Sequence, residues 1–285
     1  MFSNVSIILP AKNESGSLVQ LLPELKRHAA GAEIIIVDDG STDDTVALCR
    51  ANGVTVISHP YSMGNGAAIK TGARAARGEI LVFMDADGQH RPEDILRLLE
   101  KLAQGYDMAV GARGRESQAG AHRAIANGFY NRLASWVTGQ KIADLTSGFR
   151  AVKAGKFRQF LYLLPNGFSY PTTITMSFFR AGYAVAYVPI HAPKRIGASH
   201  MRLARDGVRF LLIIFKIGTL YSPLKLFFPV SMAFLATGLG YSAYTLLALH
   251  RFTNMSALLF ITAILVFLIG LISEQITLLI YKDGG

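Results

Sequence analysis

Cysteine is nearly missing from this chain of 285 residues. Cys49 stands alone, so no internal disulfide framework can form and no Cys-based metal cluster is available. A reducing cytosolic face is the expectation that follows. Charge is scarce too, at 17% against 51% apolar residues, and the mean hydropathy is +0.32. That balance is unusual for a purely soluble chain and predicts that part of the protein lies in lipid. Acids are the minority sign, 19 against 29 Lys plus Arg, for a formal charge of +10. Residues 1–193 nevertheless hold 20 basic and 16 acidic side chains, so this part is only mildly basic and much of the surplus lies downstream. Nucleic acid is therefore not an expected partner. Neither G-x-G-x-x-G nor G-x-x-x-x-G-K-[ST] occurs, which argues against a dinucleotide fingerprint or a P-loop; Gly64-Asn65-Gly66 opens a helical pattern, but after the third strand rather than the first. Ser147 lacks a G-x-S-x-G context and has no His/Asp pair nearby, so a hydrolase nucleophile is not expected. Internal repeats and low-complexity tracts are missing. No cleavable signal peptide is expected, because the apolar run near Ile7 is broken by Pro10 and Lys12.

What is present in quantity is apolar sequence near the C-terminus. Leu226–Leu249 and Phe252–Ser273 are uncharged runs of 24 and 22 residues, separated by His250 and Arg251. At about 1.5 Å per residue each matches a hydrocarbon core of roughly 30 Å as a helix. Pro223 and Pro229 mark the start or a kink of the first. Between Lys194 and Lys225 lie seven basic residues and one acid, Asp206, whereas the turn between the spans carries only Arg251. The positive-inside rule then puts the preceding 220 residues and the short tail with Lys282 in the cytoplasm, so that both termini of an integral membrane protein face inward. Arg202, Arg205, Arg209 and Lys216 alternate with Leu203, Phe210, Leu211, Ile214 and Phe215, as in a helix lying among headgroups. The resulting division is a cytosolic domain at 1–200, an amphipathic interfacial segment at 201–222 and two transmembrane helices within 223–281. Glu274 falls inside the second apolar stretch, eight residues before Lys282, which favours a headgroup-proximal or helix-pairing position over a place on a lipid path.

In the first 193 residues short apolar runs alternate with amphipathic stretches. Strands are predicted near Val5–Leu9, Glu33–Val37, Val54–Ser58, Glu79–Met84 and Met108–Gly111, most followed by helical patterns. That alternation specifies an α/β domain with a largely parallel sheet. Ligands of such sheets bind beyond the carboxyl ends of strands, which directs attention to three polar clusters. These are Pro10-Ala11-Lys12-Asn13-Glu14, Asp38-Asp39-Gly40-Ser41-Thr42-Asp43 and Asp85-Ala86-Asp87-Gly88-Gln89-His90. Taken alone, the second also has the composition of a turn and helix cap. Asp85 and Asp87 put two hard oxygen ligands on one short turn, which suits Mg²⁺ or Mn²⁺ bridging a diphosphate. His90, ahead of Arg91-Pro92-Glu93-Asp94 at a helix start, is expected as an ordinary loop residue rather than a ligand.

These clusters, with Gly111-Ala112-Arg113 and Thr146-Ser147-Gly148-Phe149-Arg150, resemble in order and spacing the family-2 glycosyltransferases. Within them the chain is most similar to the dolichyl-phosphate mannose synthase and bacterial polyprenyl-phosphate glycosyltransferase branch, and the resemblance covers nearly its whole length. It implies a GT-A (Rossmann-like, mostly parallel) catalytic domain, followed by the interfacial helix and a two-helix transmembrane hairpin. The implied partners are a nucleotide sugar, of the GDP-mannose or UDP-glucose type, a polyprenyl phosphate and the membrane, and the chain is compatible with a homo-oligomer. By the same resemblance Pro10, Glu14, Asp38, Asp39, Asp85, Ala86, Arg195 and His200 contact the donor. Asp85, Asp87 and Gln89 hold metal and diphosphate, while Arg113 and Arg123 address phosphates. The family's late Arg-x-x-Gly-x-Ser-Lys loop reads Arg195-Ile196-Gly197-Ala198-Ser199-His200 here, and Lys12 stands where an aromatic is common; both departures touch donor contacts.

Elementary chemistry fits this reading. A departing nucleoside diphosphate needs its charge neutralised, for which a metal on two carboxylates and Arg113 or Arg195 suffice. The acceptor phosphate, with a second pKa near 6, is already largely a dianion and needs no strong base. Asp87 is accordingly expected to position metal and donor, with general-base catalysis as its lesser alternative role. The alternatives are a processive polysaccharide synthase, which would carry a Gln-x-x-Arg-Trp signature that this chain lacks, and a silent membrane module, which the retention of Asp85 and Asp87 disfavours.

Overall fold

The computed structural model describes residues 2–114, 121–167, 169–191, 215, 218–219 and 221–282, with backbone alone for 121–127 and 280–282. The chain divides into two compact units, Met1–Ser135 with Gln140–Arg209, and Trp136–Gly139 with Phe210–Gly285.

The first unit is built on a sheet of seven strands in the order β3-β2-β1-β4-β6-β5-β7. The strands are β1 (Val5–Ala11), β2 (Glu33–Asp38), β3 (Thr55–Ser58), β4 (Ile80–Phe83), β5 (Met108–Arg113), β6 (Arg150–Lys153) and β7 (Val185–Ile190). The first helices are α1 (Ser15–His28), α2 (Thr45–Ala51), α3 (Asn65–Ala75), α4 (Asp94–Ala103) and α5 (Ala121–Thr138), followed by α6 (Ala154–Arg158) and α7 (Tyr170–Arg180). β1 is buried almost throughout and pairs in parallel with β2 and β4, which explains its unbroken apolar run Val5–Leu9. α1 buries Leu18, Leu21, Leu22 and Leu25, and α4 buries Ile95, Leu98, Leu99 and Leu102, the i, i+3, i+4, i+7 stripe of a helix covering a sheet. Because β2 and β4 flank β1 on opposite sides, the winding reverses there, and the reversal opens a crevice at the carboxyl ends of the strands.

Two strands escape a reading by pattern. β6 is four residues long, begins with an arginine and enters antiparallel between β4 and β5. β7 contains Pro189, tolerated because β7 is the edge strand. The antiparallel entry of β6 matters, since it brings the amino end of that strand, and Gly148 and Phe149 before it, to the edge where β4 and β5 finish.

The second unit contains two long helices, α8 (Pro223–Leu249) and α9 (Asn254–Lys282). Both contain stretches long and apolar enough to cross a membrane. Only 17% of those stretches is buried, so neither is the core helix of a soluble domain. Small residues line their contact: Ser231, Gly238, Ser242 and Thr245 are buried on α8, and Ser231 Oγ donates to the Ala263 carbonyl at 2.8 Å. Pro223 occupies the first turn of α8 and Pro229 its interior. Glu274 Oε2 accepts the backbone N–H of Leu224 at 3.3 Å, which makes it a helix-pairing residue that satisfies one of the free amides at the start of α8. The interfacial segment expected at 201–222 lies outside the described residues apart from 215, 218–219 and 221–222.

Candidate active site

All three acidic clusters fall on one sheet edge. Pro10 and Ala11 pair with Val37 and Asp38, so the turns after β1 and β2 leave the sheet side by side and are stitched together. Asn13, held at φ +56°, donates its N–H to Ser41 Oγ at 2.9 Å, and its Oδ1 accepts the Thr42 N–H at 2.8 Å. Glu14 donates its N–H to Thr45 Oγ1 at 3.0 Å and accepts from Ser17 Oγ at 3.0 Å. Buried Asp38 accepts the Ser41 N–H at 2.9 Å. Asp43 accepts the N–H groups of Ser15 and Thr45, at the starts of α1 and α2. Burial works against its charge, but the hydroxyls of Thr45 and Ser15 and these two N–H groups outweigh it and lower the carboxyl to about 2. Within the Asp38–Asp43 turn, Asp43 is therefore a helix cap, as its composition allowed.

Asp39 has a different task. Its two oxygens accept from Ser62 Oγ (2.8 Å), Met63 N–H (2.7 Å) and Gly64 N–H (2.9 Å), and pair with His59 Nδ1 at 2.8 Å. His59 Nε2 is 3.0 Å from Thr71 Oγ1, so the loop after β3 is tied to both the Asp39 turn and α3. Burial would raise the Asp39 carboxyl; the His59, Ser62, Met63 and Gly64 contacts together hold it below the ordinary aspartate value. Sequence spacing carried no signal for His59.

The third cluster follows β4. Ala86 is buried, Asp85 and Asp87 are half-buried, and Asp87 Oδ1 accepts the Gln89 N–H at 3.1 Å across a turn in which Gly88 adopts φ +73°. His90 departs from its expected place as an ordinary loop residue. It is only 5% exposed, stacks on Phe149 at 5.0 Å and brings Nε2 to 3.4 Å from Asp85 Oδ2, while its buried Nδ1 has no hydrogen-bond partner among the described residues. Burial would raise Asp85, yet His90 first, then Arg113 and Arg150, keep the carboxyl below the usual aspartate value. Gly148 lies against Asp85 so closely that a Cβ there would stand 2.8 Å from Oδ2 and 3.1 Å from Oδ1.

Arg113 ends β5. Its Nε and Nη2 reach Asp144 Oδ2 and Oδ1 at 2.8 and 3.1 Å, and Nη2 also donates to Thr146 Oγ1 at 2.7 Å. Asn131 of α5 holds the segment that carries Asp144, by donating to the Ala143 carbonyl at 2.8 Å and accepting the Leu145 N–H at 3.0 Å. Burial lowers the Arg113 guanidinium, but Asp144, Asp85 and Asp87 together raise it, so its charge is secure and is felt by both acids of the third cluster. Behind them Arg150 is fully buried without a carboxylate in contact among the described residues. Nη1 donates to Pro171 O and Thr175 Oγ1, both at 3.2 Å, Nη2 to Ser147 O, and the guanidinium faces the Tyr170 ring at 5.7 Å. Burial pushes Arg150 below the usual arginine value, opposed by the nearby Tyr170, Tyr187, Asp144 and Asp85.

The structure thus brings Asp85, Ala86, Asp87, Gln89 and Arg113 to one place, with Pro10, Glu14, Asp38 and Asp39 on the adjoining turns of the same edge. Arg195 and His200 lie outside the described residues, as does the side chain of Arg123 on α5. Among the described residues no three His, Cys, Asp or Glu side chains form a complete metal cage. Two carboxylates with a neighbouring amide fit instead a hard cation whose remaining ligands come from phosphates and water. Gly64-Asn65-Gly66 is not a phosphate cradle: the N–H groups of Gly66 and Ala67 already donate to Gly167 O and Asn166 O at 3.2 and 2.8 Å. Ser147 Oγ is fully buried and has no hydrogen-bond partner among the described residues, so no described base stands beside it.

Residues 6–161 match the family model described as Glycosyl transferase family 2, and residues 222–279 that of the GtrB C-terminal hairpin. The chain is 28% identical over 246 residues to the glycosyltransferase AglJ of Haloferax volcanii, covering 84% of this chain and 80% of that one. It is 30% identical to the polyprenol monophosphomannose synthase of Mycolicibacterium smegmatis, over 68% of this chain and 80% of the relative. It is 33% identical to an undecaprenyl-phosphate 4-deoxy-4-formamido-L-arabinose transferase of Pseudomonas aeruginosa, of which the match spans about half (54%), over 58% of this chain. The glucosyl-3-phosphoglycerate synthase of Mycobacterium tuberculosis, solved with Mn²⁺, UDP-glucose and phosphoglyceric acid, shares the fold with a TM-score of 0.63 at 20% identity, over 76% of this chain and 80% of that one.

Proposed function

Because the chain belongs to glycosyl transferase family 2, we propose that it moves a hexose from a nucleotide sugar, of the GDP-mannose or UDP-glucose type, onto a polyprenyl phosphate. The observation that carries this reading is the union in one chain of an acid-and-arginine cluster on the sheet edge with two helices apolar enough to span a bilayer. A lipid acceptor accounts for both. The names of the Mycolicibacterium and Pseudomonas relatives point to polyprenol-linked acceptors.

In the proposed reaction the acceptor phosphate, largely dianionic at neutral pH, attacks the anomeric carbon. A new C–O bond forms as the bond to the nucleoside diphosphate breaks, in a single inverting displacement, and no proton needs to be removed from the nucleophile. Asp85 and Asp87, with Gln89 beside them, would hold a divalent cation, Mg²⁺ or Mn²⁺, which would neutralise charge on the diphosphate. The Mn²⁺ bound by the Mycobacterium tuberculosis enzyme supports that assignment. Arg113, its orientation set by Asp144, and Arg123 address phosphate oxygens, while Pro10, Glu14, Asp38, Asp39, Ala86, Arg195 and His200 serve the donor. The segment 201–222 delivers the lipid phosphate at the headgroup layer, and the surplus of basic residues there sets the catalytic domain and both termini in the cytoplasm.

The test is transfer of label from a panel of radiolabelled nucleotide sugars into organic-extractable polyprenyl phosphate, with Mg²⁺, Mn²⁺ or EDTA and an Asp87→Ala control. Metal-dependent label in the lipid fraction, lost in the control, is expected. Polymer or a protein-bound product in place of labelled lipid would overturn the acceptor assignment.

A further inference from the structure

Tyr61 is the most exposed large apolar residue described in the first unit, at 66% of its full exposure, and among the described residues neither its ring nor its hydroxyl has a partner. A single exposed aromatic is unremarkable on a mobile surface, because half of any protein surface is apolar. This one stands on a segment that is pinned. His59 N–H donates to the Asp38 carbonyl at 2.8 Å, and the His59, Ser62, Met63 and Gly64 contacts to the Asp39 carboxylate fasten the loop on both sides of Tyr61. The Tyr61 backbone also lies flat on the acidic turn: a Cβ at Gly40, itself at φ +75°, would be 3.2 Å from the Tyr61 carbonyl carbon and 3.1 Å from the Ser62 nitrogen. Met63, 38% exposed, adds a second apolar surface on the same short loop.

We propose that Tyr61 is a binding residue whose ring stacks on the planar base of the nucleoside diphosphate, and that the Asp39 carboxylate acts chiefly by holding this loop in place. The inference rests on the donor assignment made above. With its oxygens engaged by four protein groups, Asp39 serves less as a reader of the base edge than as the anchor of a rigid aromatic platform. Stacking on a ring tolerates different bases, so Tyr61 contributes affinity for the nucleoside more than choice among nucleotides.

Calorimetric titration of the full chain in detergent micelles tests this, using UDP, GDP and, as a base-free control, inorganic pyrophosphate, all with Mn²⁺. Tyr61→Ala is expected to weaken UDP and GDP by about tenfold, the order of a lost base–aromatic stack, and to leave pyrophosphate unchanged. Tyr61→Phe and Tyr61→Trp should stay within about threefold of the parent on the same grounds. The side chain is exposed, so these variants keep the fold. If the parent binds UDP or GDP and Tyr61→Ala binds it equally well, the stacking role is overturned and the donor assignment stands. Equal loss of pyrophosphate in Tyr61→Ala would also overturn it, by showing damage to the phosphate site. A parent that binds neither UDP nor GDP overturns both readings.

Discussion

Arg113 grips Asp144 with both arms of its guanidinium, at 2.8 and 3.1 Å, and Asp144 is only 4% exposed. The pair joins the end of β5 to a segment held by α5, and it orients an arginine whose charged form both Asp85 and Asp87 stabilise.

Removing one member of such a pair leaves a charge without its partner, a loss of about 3 kcal/mol in buried settings and less where, as at Arg113, the partner is partly solvated. Asp144→Ala is expected to lower the thermal midpoint in micelles and to abolish most transfer activity. Arg113→Lys, which keeps the charge but loses the two-pronged geometry, should fold and still lose activity at least tenfold. Parent-like turnover in Arg113→Lys would show that the fork geometry is not used.

Gly148 is required by space rather than by backbone conformation. An added methyl group would press on both oxygens of Asp85, and the Gly148 carbonyl is tethered by Tyr170 Oη at 3.0 Å, which limits retreat. Gly148→Ala should therefore displace Asp85 and reduce kcat by on the order of 100-fold, the cost typical of a misplacement on the order of 1 Å. Manganese affinity, read by electron paramagnetic resonance, should fall in parallel while the melting midpoint moves little. Unchanged manganese affinity would separate Asp85 from the metal.

Asp43 predicts an acid limb of stability. Its carboxyl is lowered from 3.8 to about 2 in the folded chain, so the folded state binds fewer protons than the unfolded one. The stabilisation is present above the unfolded value and disappears as pH falls from 3.8 towards 2. Asp43 is exposed, and its worth is that of a screened cap serving two helices, about 1 kcal/mol. Asp43→Asn should destabilise the protein at pH 7 and flatten the loss of stability below pH 4, measured as urea midpoint against pH. An acid limb as steep as the parent's would assign that limb to other carboxylates.

At the base of the hairpin, Glu274 needs only an acceptor oxygen to serve the Leu224 N–H. Glu274→Gln retains one and should preserve both hairpin stability and transfer to long-chain acceptors. Glu274→Leu removes it and should lower the thermal midpoint, at a cost of about 1 kcal/mol. Loss of transfer in Glu274→Gln with an unchanged midpoint would return this carboxylate to a role on the lipid path.

The readable part of this protein is where a physical constraint acts on neighbouring residues. β1, β2 and the membrane helices announce themselves because a strand covered on both faces, or a helix in lipid, has to be apolar along its whole length. Asp85-x-Asp87 and Asp38-Asp39 announce themselves because acids ending apolar strands need cations or several hydrogen bonds. Asp43 and Asp39 stand four residues apart in one motif, yet one caps helices and the other anchors a loop; local composition could not separate them.

Sequence by itself determined the α/β class, the acidic edge and the apolar hairpin, since periodicity and strand-end chemistry are properties of short segments. Tertiary structure alone decided the rest. The antiparallel entry of β6 sets Gly148 against Asp85 and Phe149 against His90, partners 63 and 59 residues apart along the chain. Asp144 meets Arg113 across 31 residues, and His59 meets Asp39 across 20. Contacts of this kind depend on which strands become neighbours, a choice made by packing the whole sheet at once, and no local pattern of residues encodes it.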